Sequence, residues 1–369
     1  MAIPATLTKN GKVEIVTGSE SFGKSFVSVL VKRSFRIVPG QAAQRLDEDY
    51  PLRMVDQYYD GGEPQNATVE HEFEVAPIKA MTDVVIVGNA YAPQARPCHK
   101  LTIGATIGKV KTDLRITGDR ICNYVPGSAP RFSDPTPFIQ MPLRYERAYG
   151  GKDHRSIPEL PFWYPRNDMG VGVALSNSRD VIEGLRLPNI EHADDLLTPE
   201  RVVIGEPVNW HRQPIPMGFG WRQRTWFPRC ALIGSCPPFL EVGTQTAEEK
   251  MGLLPANYVA LARQFKLKAS PAQFANGASI GLSFDNLPVN ESILLSGLTP
   301  DGQLSFMLPG ESPSIALNIG KGLQPVESRL FTISIRPDDL ELDMIWGGVH
   351  SIGEFREWSK VTRLEAEVN

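Results

Sequence analysis

The run from Phe26 to Val38 constrains this chain more than any other stretch. It is β-branched and aromatic, has few strong helix formers, and is interrupted by polar residues, so it reads as a strand. Its position matters because the octet GSESFGKS, residues 18–25, stands directly before it. That octet fits the phosphate-binding loop pattern G-x-x-x-x-G-K-[ST] at Gly18, Gly23, Lys24 and Ser25. Such a loop holds phosphate because backbone N–H groups converge at a helix N-terminus, where the dipole favours negative charge. A strand in that place offers no such ring of donors. Lys12-Val13-Glu14-Ile15-Val16 alternates as a strand on the other side, and no run of four apolar residues ending in Asp is placed to hold magnesium. The octet is therefore read as a glycine-containing hairpin turn. A P-loop nucleotide hydrolase is kept as the alternative, which Lys24→Ala and calorimetry with ATP or GTP would test.

The rest of the chain follows the same grain. Further strand candidates are 68–75, 82–88, 100–106, 109–117 and 138–146 in the first part, then 279–284, 291–297, 303–308, 314–318, 329–335, 340–346 and 361–368. Leu101–Thr106 and Val110–Ile116 flank Ile107-Gly108-Lys109 as a hairpin, and Val84–Val87 is continuously apolar, as for a strand covered on both faces. Between them, residues 151–245 are irregular and hold Trp163, Trp210, Trp221 and Trp226. Large aromatics in irregular backbone pin it to a core, and long ordered loops are often functional. A helical period appears only at Tyr258, Leu261, Ala262 and Phe265. The expected fold is mainly β, with antiparallel β-sandwich-like sheets in two packed lobes, a long irregular central excursion and one or two short helices. The expected division is an N-terminal β lobe at 1–155, a Pro- and Trp-rich excursion with a short helix at 156–276, and a C-terminal β lobe at 277–369, or all one compact unit. With 369 residues, roughly 75% of the unfolded surface is buried on folding, enough for a core without staples.

Chemistry is hard to find. Basic and acidic residues, 38 and 42 in number, are well mixed, so no tract points to nucleic acid. No signal peptide and no apolar stretch of membrane-spanning length is visible, and the expected location is cytoplasmic. Cys98, Cys122, Cys230 and Cys236 form no C-x-x-C, and the six histidines form no metal motif, so reduced thiols and no metal or cofactor are expected. Lys79 with Asp83, and Asp119 with Arg120, stand at strand ends, where a charged residue is more often a turn partner than a catalyst. The densest run is Met141–Gly151. Read as a strand, it points Arg144 and Glu146 one way and Tyr145, Arg147 and Tyr149 the other, before Gly150 and Gly151 allow a close backbone approach. Two readings of it stand: a recognition edge with Arg and Tyr anchors, or a buried ion-pair and aromatic cluster fixing the strand to the excursion. Nothing in the residues makes an enzyme. A carbohydrate-binding β-protein is a further alternative, supported by the Trp-rich middle and tested by a glycan array.

Taken in order, several stretches resemble the bacterial family known as domain of unknown function 2169. They are Leu30–Phe35, Pro77-Ile78-Lys79 with Thr82-Asp83-Val84, Gly88–Pro93, Gly118-Asp119-Arg120, Met141-Pro142-Leu143, Tyr145–Gly151, Leu187–Glu191, Leu304–Pro309 and Leu340–Trp346. The chain departs from the family pattern at Asn167-Asp168, where Asn-Pro is usual, at Gly347, where Arg is frequent, and across 230–270. The resemblance implies a cytoplasmic, non-enzymatic adaptor or chaperone of type VI secretion. Such a protein binds a secreted effector, through a PAAR-like or N-terminal domain of that effector, and helps load it onto the VgrG spike, with no nucleic acid or membrane partner. The contact candidates are Arg144, Tyr145, Glu146, Arg147, Tyr149, Gly150 and Gly151, joined by Trp163 and Trp221 from the excursion.

Overall fold

A computed structural model describes residues 5–7, 12–19, 24–232, 275–320, 322–354 and 364–368. The protein is mainly β, with several antiparallel sheets and, among the described residues, two short α-helices, Arg179–Ile182 and Arg229–Leu232. The helical period at 258–265 lies outside the described residues.

The run after the glycine-rich octet is a strand, Lys24–Arg36. It pairs antiparallel with Lys12–Ser19 on one edge and with Glu341–Glu354 on the other. Its backbone N–H groups are thus spent on ladders, and no helix N-terminus stands there. Alternation sorts its side chains. Val27, Val29 and Val31 pack with Ile315, Leu317 and Ala366, while Phe35 joins the main core. The even positions, Leu30, Lys32 and Ser34, face the opposite side, under the segment that carries Leu52 and Val75.

A seven-stranded sheet runs in the order Ser283–Phe284, Thr82–Ile86, Ser328–Arg336, Glu341–Glu354, Lys24–Arg36, Lys12–Ser19, with Gln44–Arg45 added to Lys24–Arg36. The apolar run after Asp83 lies inside it, and Val84, Val85 and Ile86 are fully buried. Its pairing with Ser328–Arg336 is parallel. A second, five-stranded sheet runs Ile190–His192, Val110–Thr117, Lys100–Ile107, Ser292–Ser296, Gln303–Met307. The expected hairpin is there, turning at Gly108-Lys109 with Gly108 at φ +56°. Ile103, Ile107, Leu114, Ile293 and Phe306 from this sheet meet Ile86, Ile335, Leu342 and Trp346 from the other in one core. Both sheets draw strands from before residue 155 and from after residue 277.

The irregular region has a core of its own. Tyr149, Tyr164, Ile182, Val202, Trp210 and Phe227 cluster there, with Tyr164 against Tyr149 and Trp210 against Phe227 edge to face. Trp221 and Trp226 instead enter the main sandwich core. The region is thus fastened both by its own packing and by two tryptophans that join the main core.

One expected strand is shorter than its sequence suggests. Within 138–146, Gln140–Pro142 pairs with Asn89–Tyr91, Phe138 makes a single bridge to Cys98, and Tyr145–Arg147 is a 3-10 turn. Pro142 has no N–H to extend a ladder, and the alternation after it reflects separate contacts with Asp60, Thr68, Asn189 and Trp226. The strand 68–75 likewise shortens to Val69–His71.

Candidate functional site

The 3-10 turn sends the candidate residues of Tyr145–Gly151 in different directions. Tyr145 is buried edge to face on Trp226, centroids 5.3 Å apart, with its hydroxyl donating to Ser279 Oγ. Glu146 accepts from the N–H and the hydroxyl of Thr68, at 2.7 and 2.6 Å. Arg147 Nη1 donates to Asn189 Oδ1 at 3.0 Å and lies 3.3 Å from Asp119. Arg144 pairs with Asp60 and stacks over the Tyr59 ring. Tyr149 is buried, and Gly150 and Gly151, at φ +149° and +108°, lie so near the Asn167 and Gly170 carbonyls that a Cβ at either would run into them. Asn167 closes the knot by donating to the carbonyls of Tyr145 and Tyr149. These contacts fasten strand to excursion. Lys79 is also held inside, donating to Asp83 Oδ2 at 2.7 Å and Thr332 Oγ1 at 2.9 Å, with Trp221 buried beside it.

Trp163 stands apart from the other candidates. It is 56% exposed, whereas Trp210, Trp221, Trp226 and Trp346 are all buried. It lies on the second strand of a small hairpin, Lys152–Asp153 against Phe162–Trp163. Lys152 is its direct cross-strand partner, which places the ammonium 4.6 Å from the indole centroid. Asp153 fixes the intervening loop. Its Oδ1 accepts from the N–H groups of Arg155 and Ser156, and its Oδ2 from the Ser156 hydroxyl and the Leu175 N–H. Burial opposes ionisation of Asp153, but these hydrogen bonds outweigh it and hold its pKa below the usual carboxylate range. The loop so anchored displays Ile157 and Leu160, 39% and 69% exposed, on the same excursion as Trp163.

Beside Trp163 opens a cleft of about 580 Å³. Tyr58, Val69, Met169 and Trp226 give it apolar lining. Its charged groups come from segments far apart in sequence. Arg224 Nη1 donates to Asp56 Oδ2 at 2.8 Å, and Nη2 lies 3.2 Å from Glu72 Oε1. Glu72 also accepts from the buried Arg229 at 2.9 Å. Asp168, also in the lining, accepts from Trp226 Nε1 at 2.8 Å and lies 3.5 Å from Lys152 Nζ. The volume falls within the range of sites that enclose a small ligand or a few side chains. Lys152, Asp56, Arg224 and Met169 were not singled out by sequence, because no motif links positions spread from 56 to 224.

Fold and cleft together define a mainly β protein whose accessible concave surface has an aromatic lip, an apolar lining and ion-paired walls, an arrangement suited to holding a ligand. Over residues 23–347 the chain matches the family described as "Uncharacterized protein conserved in bacteria (DUF2169)", and it belongs to that family. No curated protein and no solved structure matches it.

Proposed function

We propose that this chain is a non-catalytic adaptor of bacterial type VI secretion, which binds a toxic effector in the cytoplasm and helps load it onto the VgrG spike. The sequence resemblance to the adaptor family supports the pathway. The observation that carries the binding role is the display of Ile157, Leu160 and Trp163 on a hairpin whose loop is pinned by Asp153, with Trp163 at the side of an open cleft. Burying one large apolar side chain is worth roughly 1.5–3 kcal/mol, so three on one short hairpin form an anchor for a partner. Tyr145 and Tyr149 are buried and pack edge to face on Trp226 and Tyr164, which line the cleft.

The test is affinity purification of the tagged protein from its own bacterium, followed by mass spectrometry of what accompanies it. The reading expects an effector in near-stoichiometric amount together with VgrG. A protein that purifies alone, in a strain expressing the secretion system, would remove it. Calorimetry with ATP and GTP addresses the nucleotide alternative in the same preparation, and binding of either nucleotide that is lost with Lys24→Ala would favour that alternative instead.

A further inference from the structure

Residues 46–56 cross one side of the seven-stranded sheet as a strap between the strands Gln44–Arg45 and Gln57–Tyr58. Leu52 is its one buried side chain, and Met54 and Val55 stand 55% and 68% exposed. Polar groups fasten the strap instead. The Leu46 N–H donates to the Ser34 carbonyl, Asp49 Oδ1 accepts from the Ser34 N–H, and Lys32 Nζ donates to the Pro51 carbonyl at 3.3 Å. Arg53 gives its N–H and its guanidinium to the two oxygens of Glu74. At the far end Asp56 Oδ1 accepts from the Phe73 N–H, while Oδ2 takes Arg224 in the lining of the cleft. A segment with one buried apolar anchor and many polar ones belongs to the low-stability end of a fold, able to open while the sheet under it stays closed.

Next to the end of the strap lies His71, the cross-strand partner of Gln57, whose side-chain oxygen accepts from Arg53 Nε. The charges that face His71 are Arg53 from the strap, Lys32 from Lys24–Arg36, Arg336 from Ser328–Arg336 and Asp343 from Glu341–Glu354. Three cations thus stand against one carboxylate, and the nearby Glu74 is already shared by Lys32 and Arg53. Lys32 and Arg336 belong to strands paired on both sides, so Arg53 is the cation whose segment can withdraw without breaking a ladder. We propose that residues 46–56 lift as a unit when His71 takes up a proton, carrying Arg53 away from the new charge and withdrawing Asp56 from Arg224 and the cleft. Burial, with Arg53 the strongest of the cations, holds the His71 pKa down to about 3, whereas an imidazole in water titrates at about 6.5. Between those values the open form binds the proton and the closed form does not. Opening is therefore favoured as pH falls below about 6.5 and is indifferent to pH above it. The device goes beyond the adaptor reading and stands without it.

The test is hydrogen–deuterium exchange, read peptide by peptide on the full-length protein at pH 7.5, 6.5, 5.5 and 5.0, with each rate divided by the intrinsic exchange rate at that pH. Peptides covering 46–56 should open about tenfold more at pH 5.5 than at 7.5, and about thirtyfold more at 5.0. Peptides covering Thr82–Ile86 and Ser328–Arg336 should keep their protection throughout. In His71→Gln the strap should no longer respond to pH. A second measurement needs no variant: in wild type carrying ¹³C-labelled histidine, the His71 ring resonance should titrate with a midpoint below about 5. Four results would overturn the proposal: strap peptides as protected as the central strands at every pH, a loss of protection shared equally by strap and central strands, an acid response retained in His71→Gln, or a His71 midpoint near 6.5 while the strap stays protected.

Discussion

Asp343 is fully buried and is ion-paired with Lys32, Arg53 and Arg336. It accepts from Arg336 Nη1 and Ser34 Oγ, each at 2.7 Å, and lies 3.3 Å from Lys32 Nζ, which also donates to Glu74 at 2.8 Å. Burial opposes its ionisation, but Lys32 and Arg336 outweigh that and lower its pKa. Asp343→Asn removes the charge and keeps the shape, so it should cost about 3–5 kcal/mol in urea unfolding. His71 neighbours this network. Burial, reinforced by Arg53 and Arg336, pushes its pKa down to about 3. The unfolded chain, with a histidine pKa of about 6.5, then binds more protons than the folded one between those values, so its contribution to stability is lost as pH falls from 6.5 towards 3. His71→Gln should flatten that part of the profile, read as urea midpoints at pH 7, 5 and 4; an unchanged slope would mean that His71 titrates normally. Trp163→Ala, by contrast, touches an exposed side chain and should change stability by no more than about 0.5 kcal/mol.

At the scale of elements, what was legible in the sequence is what local pattern determines. Lys24–Arg36 and the hairpin at Gly108 declare themselves through β-branched runs and turn residues. The segment 138–146 misled because alternation of Arg, Tyr and Glu looks the same whether one partner strand or several separate contacts produced it. In the structure the contacts come from Asp60, Thr68, Asn189 and Trp226. Gly150 and Gly151 were readable as a close backbone approach, and both sit at left-handed φ against neighbouring carbonyls. Gly150→Ala should therefore destabilise the protein by roughly 1–3 kcal/mol, measured as urea unfolding, and loosen the adjoining hairpin that carries Trp163. Equal stability and an unchanged Trp163 environment in fluorescence would contradict that role for the glycine. Within the cleft, Trp163 was visible as one of four tryptophans in an irregular region, but Lys152, Asp56 and Arg224 became neighbours only through the fold.

The whole molecule is held together by pairings between the two ends of the chain. Thr82–Ile86 pairs with Ser328–Arg336, Lys24–Arg36 with Glu341–Glu354, and Lys100–Ile107 with Ser292–Ser296. Residues 1–155 expressed alone would lack the strands that flank its own in both large sheets, and should show no cooperative unfolding transition by circular dichroism; an independently folding fragment would contradict the interleaving. The same architecture sets the cleft where the excursion crosses the sandwich, with Trp226 fixed in the main core and Trp163 left at the surface. The most direct test of the cleft as a holder of secretion clients is quantitative co-purification from the native bacterium of chromosomally tagged wild type and Trp163→Ala. The account predicts that wild type brings down an effector in comparable molar amount, and that Trp163→Ala, with the same Tm, loses it. Full retention of the effector by Trp163→Ala, or wild type purified alone, would contradict it.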